Sequence, residues 1–405
     1  MLTPPTMQPS NVVRNHKCQL TTLTFVTLRC VVLPEPNFPA RPDEFVGRRG
    51  QIEIFCHALR QGLQAGRTAS FAILGDWGIG KSSLLLKFAS LCSQPSFAIL
   101  PVFISASSDV RDYLRLTENM LDKFTDALLA VPTMQARLRA ELRNWRFKSV
   151  DLGGVSLERE SPRMFLSSGT SLLRHKLKEA WNHFLPHAQL RGAIFFLDDL
   201  QNISSISRAD LALTIRDQFQ CLGIENMNYS ICFSAKPDYF AEAKGLADPA
   251  VRFYTKFYLE PFTLEETLDY ARSVFEFVDI SAKLAAWLQD KTVGHPYFLA
   301  FICKYLATTA SLQPDKLEFI WPAIFDQLGR EKFRSDVSQL SAREFEFIHK
   351  FANLSENELA SEHYTSKFRR EYFTRLVEKS LLIRTGRGRY KLYHDLFREF
   401  LRQTE

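Results

Sequence analysis

Apolar and polar residues change their spacing along this chain, and the changes mark out its parts. Short continuous apolar runs come first, at Phe71–Leu74, Phe97–Ser105, Ala193–Leu197, Tyr229–Ser234 and Lys256–Glu260. Runs of this length and composition read as strands buried on both faces. Helix-spaced segments alternate with them, at Gln51–Gln64, Ser82–Leu91, Arg115–Leu129, Ser171–Phe184 and Arg208–Gln220. Strand and helix in alternation predict an α/β fold with a parallel sheet covered on both faces. A ligand of such a sheet sits at the carboxyl ends of its strands.

After Thr263 the pattern becomes helical throughout, to about Arg330. Thr263-Leu264-Glu265-Glu266 reads as a capping box, with Thr263 as cap and Glu266 reaching back. Gly294-His295-Pro296 interrupts the helices, and Tyr297–Ala307 starts another. The last stretch changes again. Helical segments at Ala342–Ala352 and Ser366–Lys379 precede strand-like runs at Leu381–Arg384 and Arg389–Tyr393, separated by the turn signal Thr385-Gly386-Arg387-Gly388. A final helix, Leu396–Arg402, completes the pattern of a winged helix-turn-helix. The expected division is therefore an ill-ordered extension over 1–38, an α/β core over 39–262, a helical lid over 263–330 and a winged helix over 331–405.

The chemistry enters between the first strand and the first helix of the core. Gly75-Asp76-Trp77-Gly78-Ile79-Gly80-Lys81-Ser82 is a complete G-x-x-x-x-G-K-[ST] phosphate-binding loop, and Ser83 follows it into the helix. Glycines let the backbone curl so that successive N–H groups face a phosphate, and the helix N-terminus adds its positive end. Lys81 can then reach the β- and γ-phosphates, and the Ser82 hydroxyl can ligate Mg²⁺. Further on, Gly192–Leu197 delivers two acids, Asp198 and Asp199, to the same end of the sheet. After a phosphate loop this is the expected Walker B arrangement. Asp198 is assigned to Mg²⁺ and Asp199 to the attacking water. The chain thus reads as a P-loop NTPase that binds ATP with Mg²⁺.

These residues, with Phe45-Val46-Gly47-Arg48 ahead of the loop and Gly294-His295-Pro296 behind it, resemble the STAND and archaeal-type ATPases of the AAA+ superfamily, a group that includes relatives of the origin-recognition ATPases. The resemblance covers roughly residues 40–405. It implies that Phe45, Val46 and Gly47 lie beside the adenine. It implies that Ser234, with Lys236 as rival, is a polar sensor near the γ-phosphate; capping of the following turn is the plain alternative. It implies that Arg252 is an arginine finger aimed into a neighbouring subunit of a homo-oligomer, against a surface ion pair. It places His295 and Pro296 at the nucleotide from the lid, against a core histidine. Two departures stand out: Asp199 replaces the glutamate of many vigorous hydrolases, and no lid arginine marks a second sensor. The shorter aspartate points to slow turnover, as suits a switch that gates partner binding or oligomerisation; for the second sensor, either His295 substitutes or the contact is absent.

Charge bears on the partner. The net charge is +6, and segment 361–405 holds 11 Lys and Arg against 6 Asp and Glu. Lys367, Arg369, Arg370, Arg375 and Lys379 fall on the presumed recognition helix, and Arg384, Arg387, Arg389 and Lys391 on the wing. Segment 366–391 can meet duplex DNA, as in ATPases of the origin-recognition or transposition-regulator kind. It can equally pack on the core, since Phe368, Tyr372, Phe373, Leu376 and Val377 form an ordinary buried face.

The seven cysteines show no C-x-x-C pair and no metal spacing, and Cys92, Cys221, Cys232 and Cys303 lie in apolar runs, which suits a reducing cytoplasm. Leu20–Leu33 faintly resembles a signal peptide after Arg14, His16 and Lys17. Arg29 interrupts it, no small-residue cleavage site follows, and it is too short to span a bilayer, so no membrane partner is expected.

Overall fold

A computed structural model describes residues 33–105, 110, 112–151, 162–203, 206–240, 248–275, 280–309, 316–354, 359–360 and 370–404. The core begins with α1 (Arg49–Gln64), β1 (Ser70–Leu74), α2 (Lys81–Cys92) and β2 (Ile99–Ser105). It continues through α3 (Tyr113–Leu129), α4 (Ala136–Asp151), α5 (Pro162–His183) and β3 (Gly192–Asp198). It closes with α6 (Arg208–Ile224), β4 (Tyr229–Ala235), α7 (Asp248–Phe253) and β5 (Tyr254–Tyr258).

The five strands pair in parallel in the order β2-β3-β4-β1-β5. Every residue of β1 and β4 is buried, and so is β3 up to Asp198. That is why their apolar runs show no alternation: both faces meet helices. One face packs with α3, α5 and α6 around Phe124, Phe195 and Phe219; the other packs with α1 and α2 around Phe55, Phe71 and Phe88. The lateral order puts β1 and β3 on either side of β4, so the phosphate loop after β1 and the acids after β3 flank β4's end.

Some expectations shift. β5 begins two residues earlier than the Lys256–Glu260 run, because α7 hands directly to Tyr254. β2 begins at Ile99 because Ala98 is left-handed, at φ 50°. The long polar α4 is unforeseen; Leu138 and Leu142, four apart, are its buried signal. Cys92, Cys232 and Cys303 are buried as expected, but Cys221 is only half-buried.

Beyond the core come α8 (Leu264–Val274), α9 (Ala282–Thr292), α10 (Pro296–Thr309) and α11 (Leu317–Leu328), then a π-helical turn, Gly329–Phe333, and α12 (Arg334–Ser338). The capping box is present: Thr263 Oγ1 accepts from Glu266 N, and the Glu266 carboxylate accepts from Thr263 N. The chain ends with α13 (Ala342–Ala352), β6 (Leu359–Ala360), α14 (Arg370–Glu378), β7 (Leu382–Gly386), β8 (Arg389–Leu392) and α15 (Asp395–Gln403). β6, β8 and β7 form an antiparallel sheet. Lys367, Phe368 and Arg369 lie outside the described residues.

The C-terminal unit is not a separate body on a tether. Tyr297, Phe298 and Phe301 of α10 and Phe325 and Leu328 of α11 share one core with Phe333, Phe347, Phe373, Tyr393 and Phe397. No described helix is long and apolar enough to cross a membrane.

Candidate nucleotide site

β1 ends at Leu74 and the chain curls through Gly75–Gly80 into α2. Gly78 sits at φ 70°, and a Cβ there would come within 2.7 Å of His295 Cε1. Only glycine combines that backbone with that neighbour. Lys81 opens α2 and is buried, with its Nζ donating to the Asp76 carbonyl at 2.8 Å. Burial pulls the pKa of this ammonium down, opposed by the charges of Asp199, Asp76 and Asp198. A cation desolvated among three carboxylates and aimed into a curled loop is suited to an anionic ligand. Burial likewise pushes the Asp76 carboxyl up, against the pull of Lys81 and of Lys391.

The parallel register then explains the acids. Leu197 of β3 is opposite Phe233 of β4, so Asp198 falls beside Ser234. Ser234 is fully buried; its Oγ donates to Asp198 Oδ1 at 2.6 Å and accepts from Asp199 N at 2.7 Å. One hydroxyl therefore orients the first acid and the backbone of the second. Asp199 adopts a left-handed backbone, φ 54°, ψ 52°, and its Oδ1 accepts from Gln201 Nε2 at 2.8 Å. Such a conformation costs a non-glycine residue energy and is over-represented at functional sites. Ser82 is half-buried at the loop's exit. Its hydroxyl and Asp198 form a hard oxygen donor pair of the type Mg²⁺ takes.

A cavity of about 1390 Å³ opens over the loop. Gly78–Ser83 and Trp77 floor it, and Asp199 and Lys236 stand at one side. Segment 33–46 supplies another wall, including Phe45 and Val46. Glu35 to Phe38, assigned by sequence to the extension, belong to that wall. Gly47 lies against Phe262 and Glu266. Ala40 N donates to Ser83 Oγ, and Lys87 Nζ to the Pro42 carbonyl, so the segment is tied to α2. Phe45, Val46, the loop residues Trp77–Ser83, Asp199 and Pro296 thus line one cavity, whereas Gly47, Arg252 and His295 do not. Arg252 is exposed on α7, before β5. His295 meets the loop's backbone rather than opening on the cavity, which Pro296 lines.

The lid approaches through Gly294, at φ 71°, whose Cα is so near the Phe262 carbonyl that a Cβ would lie 2.0 Å from its oxygen. Phe262 N in turn donates to Gly294 O at 2.7 Å. This closeness holds His295 against the loop, its Nε2 3.1 Å from the Trp77 carbonyl. A ring nitrogen facing a carbonyl must carry the proton, so Nε2 donates and Nδ1 is bare. His394 is fixed the same way: Nε2 faces the Thr292 carbonyl at 2.8 Å, and Nδ1 accepts from Leu396 N. Burial, with the nearby His394 and Lys332, lowers His295 to about 3. Burial also lowers His394.

The sign follows. The unfolded chain takes protons below about 6.5 that the folded one refuses, so stability is full above that pH and is lost as pH falls toward 3. Between pH 7 and 5 His295 alone should cost about 2 kcal/mol, with His394 adding in the same direction. Thermal melts across that interval should show it. Burial pushes Glu344 up, but hydrogen bonds from Ser341 and Lys379 outweigh it and hold the carboxyl at about 2; its contribution is full above about 4.5 and is lost as pH falls from there toward 2, so it lies outside the pH 7 to 5 interval. A melting temperature flat from pH 7 to 5 would refute buried neutral histidines.

Residues 44–223 match the AAA ATPase domain family. The fold extends over most of the chain in two solved structures. One is the Walker-type ATPase of Pyrococcus abyssi, 15% identical, covering 89% of this chain and 97% of its own, with a TM-score of 0.51. The other is the ORC2 protein of Aeropyrum pernix in ADPNP–ADP complexes, 13% identical, covering 90% of this chain and 96% of its own, with a TM-score of 0.54. The fold is that of an AAA+ P-loop NTPase. No curated protein matches the chain by sequence.

Within this AAA+ fold several contacts escaped sequence reasoning. Arg48 stands in the Phe45–Arg48 motif, left-handed at φ 59° and buried. Its guanidinium donates to the Ile79 and Glu260 carbonyls and lies over Phe262, while its N donates to the capping Glu266. It thus bolts the AAA+ loop to the start of the lid. Lys236 donates to the carbonyls of Val377 and Glu378, at 3.2 and 3.0 Å, and Glu378 and Ser380 line the cavity. Tyr393 and Lys332 reach Trp77. The residue types gave no local sign of these contacts, which, apart from Arg48 to Ile79, join positions 140 or more residues apart.

Proposed function

We propose that the chain binds ATP with Mg²⁺, hydrolyses it slowly and works as a nucleotide-dependent switch that gates a partner or self-association. The observation that carries this is the Lys236 contact. Its ammonium stands at the end of β4, two residues past the serine that orients Asp198, yet it caps the last carbonyls of α14. Cations at a helix C-terminus are favourable, but a phosphate is a stronger ligand for an ammonium. Nucleotide in the cavity and α14 therefore compete for one cation, which links phosphate state to closure of the C-terminal unit.

In this reading Lys81 and the loop N–H groups hold the phosphates, and Phe45, Val46 and Gly47 flank the base. Ser82 and Asp198 would hold Mg²⁺, which when bound neutralises phosphate charge. Asp199 orients the water, and Ser234 positions both acids. The shorter reach of Asp199, engaged by Gln201, favours slow turnover. His295 and Pro296 brace the loop from the lid, and Arg252, exposed on α7, faces a second copy. Residues 331–404 are read as a winged helix docked in the STAND manner, in a reducing cytoplasm. The second reading, duplex DNA binding through 366–391, is favoured by Arg384, Arg387 and Arg389, all exposed on the hairpin. Lys379 weighs against it on the helix, being paired with Glu344 and the Gln339 carbonyl.

Turnover of the purified protein and of Asp199→Asn, each with and without duplex, tests the reading. The variant should bind ATP and hydrolyse about 10²-fold or more slowly. Wild-type turnover should be indifferent to duplex. Equal rates in variant and wild type would place the catalytic acid elsewhere. Salt-dependent duplex binding that weakens with Arg387→Ala and Arg389→Ala would move the second reading ahead.

A further inference from the structure

Trp77 is the one aromatic side chain on the phosphate loop; 37% of it remains exposed, and the rest is flanked by lid and C-terminal residues. Tyr297 of the lid lies 4.5 Å from its ring, and Tyr393 of the C-terminal unit meets it edge-on at 6.2 Å. Its carbonyl is held by His295. Above the indole stands the ammonium of Lys332, 3.9 Å from the ring centroid. That ammonium also lies 5.6 Å from the Tyr393 ring and 2.5 Å from Asp336 Oδ1. Tyr393 OH donates to the other oxygen of Asp336 at 2.8 Å. The carboxylate is buried, and Lys332 is only 16% exposed at its side chain. This is not a solvated surface pair of little consequence. It is a largely buried cation between an indole face, a phenol ring and a carboxylate, where cation–π attraction exceeds that of an exposed pair.

Lys332 stands on the π-helical turn Gly329–Phe333, where the lid's last helix passes into the C-terminal unit. Such wide turns recur at functional positions. Every covalent step from the loop to the C-terminal unit runs through the lid, but this contact goes across directly. Trp77 lies among the residues whose backbone must wrap a phosphate, so any adjustment of the loop moves its ring.

We infer that Lys332 over Trp77 is a coupling contact: it senses the phosphate-filled conformation of the loop and passes it to residues 334–404. Lys332 is here a positioning residue that touches neither phosphate nor water. The inference rests on the nucleotide reading of the site and adds a second route beside Lys236.

Hydrogen exchange of the α15 amides, measured on the full chain with and without ADP, tests it, beside the affinity for a fluorescent ADP analogue. In the wild type ADP should slow exchange across 395–403. Lys332→Met keeps the aliphatic stem and removes the charge. Affinity for the analogue should stay within about three-fold, while the ADP-linked slowing falls about 5- to 10-fold. Lys332→Arg should restore it. Lys332→Gln, which still gives Asp336 a donor, should behave as Met does and covers the case where Met fails to fold. ADP-linked slowing unchanged in both neutral variants would overturn the inference. So would loss of nucleotide affinity in both, which would make Lys332 a structural support, or a wild type that binds ADP without change in α15. A wild type that binds no nucleotide would instead sink the reading of the site itself.

Discussion

Lys81→Ala should abolish nucleotide binding while the chain remains folded. The ammonium is the one cation at the loop's centre, with Asp76, Asp198 and Asp199 close enough to act on it. Removing it deletes a desolvated, charge-assisted contact to phosphate and leaves three carboxylates facing the incoming anion. Truncating one partner of a buried charge pair costs about 2–5 kcal/mol, which is roughly 30-fold to several-thousand-fold in affinity. The fold should tolerate the change, because the side chain contacts loop and acids rather than the apolar clusters on either sheet face. Calorimetric titration with ADP, paired with a circular-dichroism melt, decides it. A folded variant with undiminished affinity would mean that the loop is not the phosphate site.

The second large effect concerns the joint between lid and C-terminal unit. Phe298 is fully buried on α10 and packs against His295, Tyr297, Phe333, Tyr393 and His394. Phe298→Ala should destabilise by about 3–5 kcal/mol, the range for a large core aromatic whose cavity cannot collapse. Phe298→Leu, closer in volume, should cost less than half of that. Because His295 and Tyr393 both bear on Trp77, the alanine variant should also loosen the loop and speed nucleotide release. Urea melts would show a lowered midpoint; a wild-type midpoint would mean that the two parts do not share a core. The same packing argues for point variants over truncation: ending the chain at 330 would bare Phe298, Phe301 and Phe325 at once.

Much of the core was legible because its signals are local. Short apolar runs alternating with helix-spaced segments read as strands of a covered parallel sheet, and a G-x-x-x-x-G-K-S turn between strand and helix has one economical use. The capping box at Thr263 and the strands before Asp198 and Ser234 follow from neighbours within a few residues. Boundaries slipped where the cause was not local, as at β5, where a short helix feeds the strand directly. α4 went unseen because its apolar residues, Leu138, Leu142 and Trp145 among them, are interspersed with many charges.

Residue types and spacing alone determined that this chain carries an α/β phosphate-loop core followed by helices and a small hairpin unit. They also specified the loop itself, since glycine, lysine and serine are required by backbone curvature, charge and hydroxyl chemistry at fixed offsets. They left the direction of the basic C-terminal end undecided, because a lysine or arginine records only where an anion is tolerated. Tertiary structure decided that Lys236 caps α14, that Lys391 acts on Asp76, and that Lys332 stands over Trp77. These contacts join residues separated by 140 to more than 300 positions. Their energies depend on burial and on the exact faces presented, which arise only when lid and C-terminal unit close over the loop.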